Sequence, residues 1–170
     1  MAARVHLVFT ALSLALVASL TGGCGGEPVT ISLVFPSQDT FLLAKTAEIT
    51  VYEAGEDIDP DDICRNLSIG QAAGAAGNPI DTTGRIDVCA LRSESVVIQD
   101  VPVGRLVVFA EVQGGDVILM KGCRVADVYA TGTTEIAITL ATLPSYPDDP
   151  VITCANVDEK CVDGRACSES

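Results

Sequence analysis

Leu106-Val107-Val108-Phe109-Ala110-Glu111-Val112-Gln113-Gly114-Gly115-Asp116-Val117-Ile118-Leu119-Met120 decides the fold class. Residues 106 to 112 are apolar on both alternating faces except at Glu111, so they read as a central strand covered on each side. Gln113-Gly114-Gly115-Asp116 is a hairpin signal, because Gly-Gly tolerates the positive φ angles of a two-residue turn. Residues 117 to 120 then run back as the neighbouring strand.

Outward from this hairpin the chain keeps the period of two that a half-buried strand requires. Val29 to Phe35 alternates, with Val29, Ile31, Leu33 and Phe35 on one face, and stops at Pro36. Ala47 to Tyr52 repeats the pattern with Ala47, Ile49 and Val51 inward. Further strands are expected over Arg85 to Leu91, Ser95 to Val101 and Thr133 to Leu140, the last with Thr134, Ile136, Ile138 and Leu140 on one side. Only Asp59-Pro60-Asp61-Asp62 reads differently. A capping aspartate, proline at the first helical position and acid in the first turn start a helix, with Ile63 and Leu67 as its apolar side and Gly70 as its end. Gln71 to Asn78 is a Gly/Ala-rich loop. Seven short strands separated by turn signals, without a long amphipathic helix, add up to a β-sandwich.

Val101-Pro102-Val103-Gly104-Arg105, followed by the 106–112 strand, carries a resemblance. Strand, V-P-x-G and strand is similar to the transthyretin-like sandwiches of carboxypeptidase regulatory-like and Cna-B-type domains. The Gly122-Cys123 pair and the closing Ile-Thr-Leu of the last strand resemble cysteine-bearing versions in myxobacterial lipoproteins. The resemblance spans about 29 to 143 and implies a structural or binding module without catalytic residues. Cna-B isopeptide bonds use a lysine, an asparagine and a glutamate; with only Lys45 and Lys121 as strand candidates, that bond is not expected. The expected fold is all-β: a seven-stranded immunoglobulin/transthyretin-like sandwich with one short helix and a disulfide-rich C-terminal tail.

The N-terminus bears on location. Arg4 supplies a positive n-region, Leu7 to Leu20 is a near-continuous apolar run, and Thr21-Gly22-Gly23-Cys24 closes it with small residues. Such a run is short for a bilayer span of about 20 residues and has the length of a secretory h-region. The segment resembles a bacterial lipoprotein signal. That resemblance implies diacylation of Cys24 on sulfur, with Cys24 as the new N-terminus. Gly25 in the next position, in place of Asp, implies delivery to the outer membrane. Cleavage near Gly23 to give a soluble periplasmic or secreted protein, and an uncleaved anchor, are the alternatives. The chain thus divides into a signal (1–23), a tether (24–28), the sandwich (29–143), a Pro/Asp linker (144–150) and a Cys-rich tail (151–170).

Without residues 1–23 the chain has 147 residues, one domain's length, with 9 basic and 23 acidic side chains. A net charge of −14 repels phosphate backbones, so nucleic acid is not an expected partner. Tryptophan is absent and aromatic residues make up 4%, which disfavours a carbohydrate-stacking face. Apart from Cys24 there are six cysteines: Cys64, Cys89, Cys123, Cys154, Cys161 and Cys167. An even set in an exported chain reads as disulfides, and no C-x2-4-C knuckle supports a zinc site. Three of the six lie in the tail, so at least one must reach Cys64, Cys89 or Cys123. Cys64 with Cys123 is the preferred pair, since a cysteine after the second strand can meet one beside Gly122.

Chemistry is sparse. The single histidine, His6, lies in the signal, so neither a Ser-His-Asp nor a Cys-His arrangement is available. Nucleophile-elbow, P-loop and dinucleotide motifs are missing. Glu53, Glu56, Asp57, Asp59, Asp61 and Asp62 could offer oxygens to Ca2+ in the manner of an EF-hand. Pro60 occupies a flexible position there, however, and helix capping accounts for Asp59, Asp61 and Asp62 without metal. The expectation is a non-catalytic, cofactor-free binding or structural module of the cell envelope, held by lipid on Cys24 and serving an envelope protein. The alternatives are an accessory subunit of an envelope enzyme or transporter, a calcium-binding module, or a carboxylate-dependent hydrolase.

Overall fold

The computed structural model describes residues 27–53, 59–69, 79–93, 95–164 and 166–167. The signal, Cys24, Glu56, Asp57, Gly70 and the 71–78 loop lie outside the described residues. Among these residues eight strands form two sheets. They are β1 (Glu27–Val34), β2 (Thr46–Glu53), β3 (Pro79–Asp87), β4 (Val96–Val101), β5 (Gly104–Gly114), β6 (Val117–Val128), β7 (Thr134–Thr139) and β8 (Ala141–Thr142). One sheet has the order β4-β1-β7 and the other β3-β2-β5-β6-β8. Pairing is antiparallel except between β1 and β7, which run parallel from Val29↔Thr134 to Val34↔Thr139. The protein is all-β, a two-sheet sandwich closed by three disulfides.

The alternating residues make the core. Val29 and Ile31 of β1, Ile98 of β4 and Ile136 and Ile138 of β7 face Ala47, Ile49 and Val51 of β2 and Leu106, Val108, Ala110 and Val112 of β5. The central strand is covered on both sides, as its two apolar faces require. Its other face, Val107 and Phe109, joins Tyr52 beneath α2 (Pro60–Ser68), whose Ile63 and Leu67 are fully buried there. Burying two such side chains contributes about 3–6 kcal/mol, which fixes this nine-residue helix far more firmly than its intrinsic propensity does.

Four features differ from expectation, each for a physical reason. An eighth strand, β8, pairs through Met120↔Thr142 and Lys121↔Ala141, where the chain crosses from one sheet to the other. β6 continues through Gly122 to Val128 instead of ending at Met120. Glycine there is not punctuation but clearance: a Cβ at Gly122 would lie 2.7 Å from both Ile138 Cγ2 and the Thr139 carbonyl oxygen. The strand expected over 85–91 is part of β3 and ends at Asp87, whose carboxylate accepts the Cys89 N–H at 2.7 Å and turns the chain into the short helix α3 (Ala90–Ser93). The single helix expected is one of four among the described residues. Besides α2 and α3 there are α1 (Gln38–Leu43), capped by Ser37, and α4 (Val157–Cys161), capped by Asn156.

Candidate functional site

The six cysteines close as Cys64–Cys123, Cys89–Cys161 and Cys154–Cys167. The first, the pair preferred from sequence, joins α2 to the β6 residue opposite Phe109. The second ties the tail to the end of the five-stranded sheet. The third closes the tail on itself, with both cysteines buried against Leu42.

The tail docks on α1 and shapes a cleft of about 350 Å3. It is lined by Leu42, Leu43, Lys45, Asp87, Cys89 and Lys160 together with Gly164, Ala166 and Cys167 of the tail. Asn156 starts α4 by accepting the Glu159 N–H at 3.0 Å, and the Glu159 carboxylate accepts the N–H of Ala155, the residue before the cap, at 2.9 Å. This short helix aims Lys160 at the open carbonyl end of α1. Its Nζ donates to the carbonyls of Phe41 and Leu42, each at 2.8 Å, and to that of Ala44. The ammonium also stands 5.3 Å from the centroid of the Phe41 ring. Cations suit a helix C-terminus, where carbonyls are unpaired. Burial nonetheless lowers the Lys160 pKa to about 8; Asp87 opposes the shift and Lys45 adds to it. Arg92 to Asp158 at 2.6 Å and Gln38 to the Ala155 carbonyl at 3.2 Å complete the docking.

A second concavity, about 530 Å3, follows the seam between β6 and β7, with Arg124, Asp127, Tyr129 and Glu135 on its rim. β7 is the edge of its sheet, and β8 covers β6 only at Met120 and Lys121. Two strand edges therefore border one groove, the geometry that accepts an added extended segment.

Of the acids singled out from sequence, the four described ones, Glu53, Asp59, Asp61 and Asp62, form no metal-ligating group. Asp59 caps α2 through the Asp61 N–H at 3.0 Å. Asp62 pairs with Arg65 at 2.8 Å, and Asp61 faces Arg105 at 3.7 Å. Glu53 is exposed at the end of β2. Among the described residues no three metal-ligating side chains group together. The described cysteines are all disulfide-bonded, so they supply no thiolate. Lys160 is missed from sequence because its acceptors lie more than 115 residues away. The helix that carries it has a readable signature in Asn156-x-x-Glu159. No helix among the described residues is long and apolar enough to cross a membrane. No protein-family model, curated protein or solved structure matches this chain.

Proposed function

We propose that this is an exported cell-envelope protein, anchored to the outer membrane by lipid on Cys24 and working as a non-catalytic binding or structural module. The observation that carries the reading is the cysteine count. Three bridges use six of the seven cysteines, and the one left over is Cys24, at the end of the signal-like segment. Structural disulfides persist in oxidising compartments, which agrees with export. A leftover cysteine in such a chain calls for a use of its own, and acylation supplies one. The module's offering to an envelope partner is the β6–β7 groove, where an extended segment can pair with a free strand edge.

The test is fractionation of cells expressing wild type and Cys24→Ala. Two or three acyl chains anchor a protein stably on a membrane, at about 0.8 kcal/mol per buried CH2. Wild type is expected in the membrane fraction, and Cys24→Ala either in the soluble fraction or trapped uncleaved. Equal recovery of both as soluble protein would sink the proposal.

A further inference from the structure

We infer that the sandwich stands end-on on the bilayer that holds Cys24, touching it with two uncharged loops, 102–104 and 129–133. The inference rests on the acylation proposed above and adds which surface meets lipid. Cys24 is three residues from Glu27, where β1 begins. That chain reaches at most about 11 Å. The end of the sandwich at Glu27 is therefore kept at the membrane.

Strand register names what else sits at that end. Glu27 pairs with Val101, the last residue of β4, and Val29 with Thr134, the first of β7. Gly104 opens β5 opposite Val128, which closes β6. The two connections, Pro102-Val103-Gly104 and Tyr129-Ala130-Thr131-Gly132-Thr133, thus lie side by side next to the tether. In a chain of net charge −13 these eight consecutive-loop residues carry no charge at all. Their tips expose apolar groups: Val103 is 55% and Tyr129 65% accessible. A tyrosine suits the headgroup region, where its ring is half in apolar surroundings and its hydroxyl in water.

Two other exposed apolar residues, Val117 and Val162, lie at the opposite end. Val117 is 48% accessible but starts β6, about 36 Å along the strand from Val128. Val162 is in the tail that docks on α1, at the same far end. Glu27, Glu53, Asp100 and Asp127 flank this end, and Arg105 there is paired with Asp61 at 3.7 Å. This acidic rim favours a zwitterionic over an anionic surface. The orientation leaves the Lys160 cleft and the tail facing away from the membrane.

The chain has no tryptophan, so Tyr129→Trp and Val117→Trp each introduce a single reporter. The full lipoprotein, purified from membranes, would be reconstituted into phosphatidylcholine vesicles carrying quencher lipids labelled near the headgroup. Vesicle flotation would be read beside tryptophan emission. The expected result is that both variants float, with blue-shifted, quenched emission from position 129 and unquenched emission from position 117. Flotation with neither reporter quenched, or with both quenched alike, overturns the end-on contact and leaves the anchor standing. Failure of both variants to float overturns the anchor and the contact together.

Discussion

Gly122 and Lys160 are the two residues whose roles depend most on distant chain. At Gly122 the close approach of Ile138 and the Thr139 carbonyl leaves no room for a methyl group, and one of those contacts is backbone. Gly122→Ala is expected to lower unfolding free energy by about 1–3 kcal/mol, measured by the urea midpoint; an unchanged midpoint would mean the sheets are not in contact there. Lys160 makes a prediction about pH. Its folded pKa is about 8 against the usual 10.5. Between those values the folded chain has released the proton and the unfolded chain still holds it. Stability therefore rises with pH through this window and loses that gain as pH falls through 8. Tyr52 and Tyr146, raised above 10 mainly by burial, act only at higher pH and in the opposite sense. Wild type should gain midpoint relative to Lys160→Met between pH 7.5 and 10, and parallel curves would refute the burial. From sequence the return strand stops at Met120, short of Gly122, and Lys160 draws no reading, because the atoms that constrain each belong to segments far along the chain.

Among the elements, legibility followed how local the signal was. Helix α2 is announced by Asp59, Pro60 and the Ile63/Leu67 stripe, and it is where those residues put it. Helix α1 is not announced, although Ser37 and Thr40 cap each other reciprocally and Phe41, Leu42 and Leu43 are buried. Six residues are too few for a helical period, and threonine replaces the usual Glu or Gln of the capping pattern. The disulfides give this scale its prediction. Cys64–Cys123 spans 59 residues and Cys89–Cys161 spans 72, so each long loop restricts the unfolded chain by about 4 kcal/mol in the loop-entropy relation. Cys154–Cys167, with a separation of 13, comes to about 3 kcal/mol in the same relation. Replacing Cys64 and Cys123 together by Ala should cost about 2–4 kcal/mol and raise hydrogen exchange first in α2. Exchange that stays uniform would show that Ile63 and Leu67 alone hold the helix.

At the scale of the molecule, the alternation of single strands foretold which residues are buried, as Val29, Ile31, Ile49, Val51, Ile136 and Ile138 show. It did not foretell the order. The parallel pairing of β1 with β7 joins residues about a hundred positions apart, and no pattern within either strand names its partner. The two concavities followed the same rule, since each forms between segments distant in sequence. What the sequence contributed to function is its seven cysteines and the segment before the first of them. Lipid anchoring at Cys24 and closure by three bridges are read together in the intact mass of the protein taken from cell membranes, before and after alkylation without reductant. The expected result is an N-terminus at Cys24 bearing acyl chains, and a mass that alkylation leaves unchanged. An unmodified N-terminus elsewhere, or two or more alkylated thiols, would contradict it.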